Sequence, residues 1–163
     1  MKSATVKQIK QELSNNSTEE LLELCLRLSK FKKENKELLT YLLFEASDEH
    51  AYIKNVKSEI KQQFIEINTK SYYYMKKSIR KILRSTKTQI RYSKKKETEV
   101  ELLLFFCSEL KSIEPPINQN TVLLNIFNRQ IEAIKKAISQ LHDDLRYDYG
   151  VELYQLQFHI TDK

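Results

Sequence analysis

A run of cationic residues in the middle of the chain is the feature whose chemistry is easiest to name. Between Glu66 and Glu97 there is no acidic residue, whereas eleven lysines and arginines fall in this interval. The whole chain has a formal net charge of +6, so the residues outside the interval carry −5. Closely spaced ammonium and guanidinium groups bind phosphate oxygens and displace the counterions of a nucleic acid. The segment therefore favours anion binding over catalysis.

The spacing of these residues fits one face of a long helix over residues 70–95. At about 100° per residue, the side chains suited to packing gather on one side: Tyr72, Met75, Ile79, Ile82, Leu83, Thr86 and Ile90. The other side gathers Lys81 and the candidate binding residues, which are Tyr73, Lys76, Lys77, Arg80, Arg84, Lys87 and Arg91. Tyr73 could stack on an unpaired base.

Like charges at i and i+4 destabilise an isolated helix by a few tenths of a kcal/mol per pair, so something should offset the repulsion on this face. Nucleic-acid phosphates are one candidate. A second is internal pairing with acidic residues elsewhere, such as Glu19, Glu20 and Glu23 or Asp143 and Asp144. A third is plain solvation, and an acidic protein or an anionic membrane surface is a fourth. The sequence leaves all four open.

Residue spacings that carry catalysis or metal binding are missing from the chain. It lacks Glu-x-x-His, His-x-x-x-His, Cys-x-x-Cys, a P-loop and a glycine-rich dinucleotide turn. Two clusters, at residues 48–50 and 142–144, combine histidine with acids, but consecutive helix residues point about 100° apart and chelate poorly. We therefore predict a non-enzymatic protein with no catalytic residue, metal or cofactor.

The helix that carries these cations must belong to a fold built from helices. The chain has one glycine and two prolines in 163 residues, and these residue types supply most turns between strands. No stretch approaches the eighteen or so apolar residues that a membrane span needs. Cys25 and Cys107 lie in leucine-rich runs typical of packed thiols. The sequence predicts one all-α domain over residues 1–163, located in the cytoplasm.

Capping and periodicity predict seven to eight helices. Ser17 followed by Glu20 has the spacing of a capping box, and Ser47 with Asp48 and Glu49 is typical of a capped, acidic first turn. Gly150 is expected as a turn or cap residue near the start of the last helix. The predicted helical segments are residues 5–13, 17–32, 38–44, 47–68, 70–95, a sixth around 102–107, 123–141 and a last one holding Leu153, Leu156 and Phe158.

The breadth of each apolar face predicts how the helices are layered. The second and sixth helices are apolar on several faces, which predicts inner positions, whereas the fourth and seventh carry single stripes typical of outer helices. Stacked antiparallel helix pairs, as in a short α-solenoid, and an irregular helical bundle both fit this pattern.

Residues 6–13, a polar turn and residues 20–24 together resemble the helix-turn-helix of the SAP DNA-binding motif, although the turn carries no glycine. This resemblance covers about a fifth of the chain and implies DNA binding. More broadly, the chain is similar to the small helical proteins common in bacterial genomes, a resemblance that implies no activity.

We predict a protein that binds a macromolecule through its surface, with the cationic helix face as the contact and a nucleic-acid backbone as the ligand. The alternative is a helical scaffold that binds other proteins through an exposed apolar or concave surface of several hundred Å². The first hypothesis is favoured if Arg80, Arg84 and Arg91 have no carboxylate partner. It is disfavoured if these arginines are paired internally.

Overall fold

The computed structural model describes residues 1–158, and over these residues the chain is all-α, as predicted, with eight α-helices and no strand. The helices are α1 (Val6–Leu13), α2 (Thr18–Phe31), α3 (Lys33–Thr40), α4 (Glu49–Ile65), α5 (Tyr72–Ser93), α6 (Lys96–Lys111), α7 (Thr121–Ile138) and α8 (Asp143–Phe158). Within the same residues, none of these helices has the length and apolar character that a bilayer span requires.

The chain divides into two compact units. The first comprises Met1–Phe44 with helices α1 to α3, and the second comprises Glu45–Lys163 with helices α4 to α8. A single turn of π-helix, Tyr41–Glu45, connects α3 to the second unit.

The first unit begins with two well-capped helices. Thr5 and Gln8 form a capping box at the start of α1, and Ser17 and Glu20 form the predicted one at the start of α2. Because each box satisfies two free backbone donors, it fixes where the helix begins. α3 packs against α2, and Asn35 Nδ2 donates a hydrogen bond to the Leu28 carbonyl at 2.9 Å.

The prediction that α2 occupies an inner position is wrong. None of the residues of α1, α2 or α3 is buried, and Leu22 and Phe31 of α2 are 60% and 76% exposed. The apolar residues of α2 spread over more than half of its circumference, whereas the eight-residue α3 covers one side of it. A wide apolar arc therefore shows that a helix has a large apolar surface, but it does not show that other helices cover that surface.

The second unit is organised around α6, which is the central helix that the sequence predicts. α6 packs against α4, α5, α7 and α8. Its buried side chains point in every direction around the axis, as expected of a helix surrounded by others: Thr98, Val100, Leu102, Leu103, Leu104, Phe106, Cys107 and Leu110.

α4 and α7 cover the central helix with the single stripes that were predicted. Asp48 caps α4 by accepting a hydrogen bond from the Ala51 amide at 3.0 Å. The α4 ring of Phe64 meets Phe106 of α6 edge to face, with ring centroids 5.5 Å apart. The buried stripe of α4 is Ile53, Val56, Ile60 and Phe64, and that of α7 includes Leu123, Phe127, Ile131, Ile134 and Ile138.

α8 differs from the prediction at Gly150, which lies in the middle of the helix rather than near its start. A helix tolerates one glycine at a cost of about 1 kcal/mol relative to alanine, so the chain continues through it. Leu153 is buried as expected, and the side chain of Phe158 lies outside the described part of the structure.

Candidate nucleic-acid interface

α5 is the continuous helix that the cationic segment predicts. Its 22 residues extend over about 33 Å. It ends at Ser93, and the next residue, Lys94, has a φ of 60° that places the backbone in the left-handed region and turns the chain towards α6. The predicted packing face is the buried one, with Met75, Ile79, Ile82 and Thr86 in the interior.

Hydrogen bonds to other elements fix the rotation of α5 about its axis. The Tyr72 hydroxyl donates to the carbonyl of Pro116 at 3.0 Å near the first turn. The Tyr52 hydroxyl of α4 donates to the carbonyl of Gln89 at 3.0 Å near the last turns. Because α5 also packs against α4 and α6, it cannot roll without breaking these contacts.

This orientation leaves the cationic side chains on the outside. We call the following set, with the exposed tyrosine at its N-terminal end, the cationic face: Tyr73, Lys76, Lys77, Arg80, Lys81, Arg84, Lys87 and Arg91. All of them are exposed except Lys76, which is half-buried. Tyr73 is 67% exposed and meets the ring of Tyr74 edge to face, with centroids 5.3 Å apart. The candidate residues are therefore brought together on one side of one helix.

The arginines of this face have no carboxylate partner within residues 1–158. Arg80 and Arg84 form no ion pair there, and Arg91 donates a hydrogen bond only to Thr88 Oγ1, at 3.1 Å. Acidic residues that do pair, such as Glu101 and Glu132, pair with lysines that lie outside α5. Over the described residues, internal neutralisation therefore does not offset the repulsion on this face.

Acidic residues appear again just past the end of the cationic face. Lys95 Nζ lies 3.0 Å from Glu49 Oε2, and Lys96 Nζ lies 2.7 Å from Glu99 Oε2. Glu49 also accepts hydrogen bonds from Ser93 and Thr98, which join α4 to the turn between α5 and α6. Lys95 and Lys96, near the end of the cationic segment, are therefore paired with carboxylates, unlike the cations of α5.

Two shallow depressions run along the cationic face and share Arg80 and Arg84. The first lies between these arginines and Tyr73, and the second extends past Lys87 to Arg91. Their lining includes Ser78 and Thr88, which the sequence reasoning did not select. Both residues share the helical spacing of the cations, so the same periodicity could have identified them. The lining offers hydrogen-bond donors and no carboxylate, as an anion site requires.

Two side chains of the second unit, Cys107 and Tyr149, have pKa values that are raised mainly by burial. Burial raises the pKa of the Cys107 thiol to about 12, which disfavours the nucleophilic thiolate form. The Tyr149 hydroxyl donates to Glu101 Oε1 at 3.2 Å, and burial followed by the nearby charge of Glu101 raises its pKa. Within residues 1–158, no three histidine, cysteine or acidic side chains are grouped so that they could hold a metal ion.

No known protein family, curated protein or solved structure matches the chain. The segment that resembles a helix-turn-helix corresponds to α1, the turn at residues 14–17 and the start of α2.

Proposed function

We propose that the protein binds the sugar–phosphate backbone of nucleic acid through the cationic face of α5, without a catalytic step and without a metal or cofactor. The observation that carries the proposal is the row of exposed lysines and arginines that have no carboxylate partner among the described residues. Phosphate groups are the ligand that best relieves the repulsion along this row.

The arrangement suits contact with the backbone rather than recognition of base sequence. Lys77 and Lys81, Arg80 and Arg84, and Lys87 and Arg91 are like-charged pairs at i and i+4, about 6 Å apart along the helix axis. Phosphates placed between them would replace repulsion with attraction and release counterions to solvent. Contacts of this kind position a nucleic acid but carry no sequence information.

Salt titration of binding to an oligonucleotide tests this proposal. If about five cations contact phosphates, the logarithm of the association constant should fall with the logarithm of salt concentration at a slope of about −4.5 for duplex DNA. A triple variant, Arg80→Glu, Arg84→Glu and Lys87→Glu, should lose most of the binding and most of that slope. A flat salt dependence would contradict the proposal.

The matched control reverses the same number of charges elsewhere in the second unit. Lys54, Lys61 and Lys136 are exposed, lie on α4 and α7, and form no ion pair among residues 1–158. Changing all three to glutamate gives the same net charge as the α5 variant. If both triple variants lose binding equally, attraction depends on net charge alone and the α5 site is wrong.

A second candidate function is binding of another polypeptide, which the first unit favours. Its helices bury no residue and expose large apolar side chains on α1, α2 and after α3. Exposed apolar surface of several hundred Å² is typical of protein-binding sites. The two proposals concern different units, and one chain could perform both.

We place the protein in the cytoplasm, where its two free thiols would stay reduced.

A further inference from the structure

The apolar surface of the first unit is large enough to need a partner. Eleven of its large aliphatic and aromatic side chains are 38% to 82% exposed, and together they present on the order of 800 Å². A stable interface buries about 800 Å² on each partner. The exposed side chains are Val6, Ile9, Leu13, Leu22, Leu24, Leu26, Leu28, Phe31, Leu42, Leu43 and Phe44.

A unit of this size rarely stabilises itself. It has 44 residues, close to the length of about 40 below which a chain usually depends on disulfides, a metal or association with another chain. It contains one cysteine, Cys25, and therefore no internal disulfide. Its capping boxes nevertheless fix the starts of α1 and α2, so the helices are specified although they bury no core among themselves.

The charges along α2 indicate which partner fits. Glu19, Glu20 and Glu23 occupy its first half, whereas Arg27 and Lys30 occupy its second half. Among residues 1–158, none of these five forms an ion pair. A helix that is acidic at one end and basic at the other is complementary to an antiparallel copy of itself.

The spacing within α2 gives this complementarity a register. At about 100° per residue, Glu19, Leu22, Leu26 and Lys30 lie within an arc of about 80°. Along this arc an acidic residue is followed by two leucines and then by a basic residue, and all four side chains are exposed. Two such helices that run antiparallel and cross midway between Leu24 and Cys25 would bring Glu19 opposite Lys30 of the partner subunit, while the leucines interdigitate at the centre. Twofold symmetry would repeat each contact.

We propose that the first unit pairs with a second copy of this chain, with the two α2 helices antiparallel and the two α2–α3 hairpins forming a four-helix bundle. This inference rests on the protein-binding proposal for the first unit, and it names the partner. It is independent of nucleic-acid binding by α5.

Sedimentation velocity of the full chain at micromolar concentrations tests the pairing. We expect a species of about twice the chain mass of 19.5 kDa. The double variant Leu22→Glu with Leu26→Glu should raise the dimer dissociation constant at least about 100-fold, because each substitution acts twice in a symmetric interface. The control double variant, Ile65→Glu with Val151→Glu, changes exposed apolar residues of the second unit and should leave the mass unchanged.

Charge reversal tests the register and guards against variants that merely unfold. Glu19→Lys alone, or Lys30→Glu alone, should weaken dimerisation about three- to tenfold by placing like charges opposite each other. Combining both substitutions should restore it, because the pair is then exchanged. Circular dichroism should show the same helix content throughout. A dimer that ignores the single reversals, or a double reversal weaker than either single one, would overturn the proposal.

A protein that stays monomeric at all concentrations would also overturn the pairing. Binding of a fluorescent apolar dye to this monomer then shows whether the protein-binding proposal fails as well. If the monomer binds the dye and the leucine variant does not, the apolar surface is open to a different protein. In that case only the identity of the partner is wrong. If the monomer binds no dye, the surface is closed and the protein-binding proposal fails as well.

Discussion

The hydroxyl of Tyr149 donates a hydrogen bond to Glu101 Oε1 at 3.2 Å, and Lys57 contacts the other oxygen of the same carboxylate at 2.5 Å. One side chain of the central helix α6 therefore links α4 on one side to α8 on the other. We expect Tyr149→Phe to lower the free energy of unfolding by about 1 kcal/mol, the value of one partly buried hydrogen bond. Urea denaturation measures this change. An unchanged midpoint would show that the bond contributes nothing to stability.

The same tyrosine should make stability depend on alkaline pH. Its pKa is raised above the ordinary value near 10, first by burial and then by the negative charge of Glu101. The unfolded chain therefore releases the phenolic proton at a lower pH than the folded protein does. This contribution is complete below about pH 10 and declines as the pH rises further. Between about pH 9 and about pH 11, the wild-type protein should lose more stability than Tyr149→Phe, and equal losses would contradict this assignment.

Gly150 offers a stabilising substitution. It lies inside α8, its φ is not positive, and an added Cβ would meet no atom within 4 Å apart from its chain neighbours and the backbone of its own helix. Gly150→Ala should therefore raise the free energy of unfolding by about 1 kcal/mol, because alanine loses less backbone freedom in a helix. Thermal and urea denaturation measure the gain. A loss of stability would mean that α8 needs its glycine for a reason other than helix geometry.

Glu49 should be far more important to the second unit than its neighbours on α4. Its carboxylate accepts hydrogen bonds from Ser93 and from the buried Thr98, and it pairs with Lys95. Glu49→Ala would leave the Thr98 hydroxyl without this acceptor, so we expect a loss of about 2 kcal/mol in the free energy of unfolding. Glu59→Ala, at an exposed position of the same helix, is the control and should change stability by less than about 0.5 kcal/mol.

Tyr73 should distinguish single-stranded from duplex nucleic acid. It is exposed at the N-terminal end of the cationic face, where its ring can stack on a base that is not already stacked in a duplex. Tyr73→Ala should weaken binding to a single strand about tenfold and leave duplex binding unchanged. Tyr147→Ala removes a similarly exposed ring from α8 and serves as the control. Fluorescence anisotropy with both ligands measures the difference, and equal weakening for both would exclude stacking.

The helices and the site face could be predicted from the sequence because both depend on local spacing. The period of about 3.6 residues places Arg80, Arg84 and Arg91 on the side of α5 opposite Met75 and Ile79, and the structure has the same arrangement. That these cations bind phosphate is still a prediction. Gly150 was misplaced because glycine marks helix ends more often than helix interiors, whereas α8 continues through it to the buried Leu153.

Contacts between distant residues could not be predicted in the same way. The α2 and α6 segments have similar leucine-rich patterns, yet Leu104 is buried and Leu22 is exposed. The difference lies in which helices cover each one, and no local pattern contains that information. The bond from Tyr72 to Pro116, which sets the rotation of α5, joins residues 44 positions apart. Nothing in the sequence around either residue indicates that the two will be in contact.

The two tyrosine hydroxyls that hold α5 at its ends have a mechanical consequence. A helix fastened in this way presents its charges at intervals dictated by its own pitch of about 5.4 Å, so the ligand must adjust to the protein. A duplex is stiff over a persistence length of about 50 nm and resists adjustment, whereas an unpaired strand changes the separation of its phosphates at little cost. A rigidly held α5 would therefore favour a flexible single strand over a stiff duplex as its ligand.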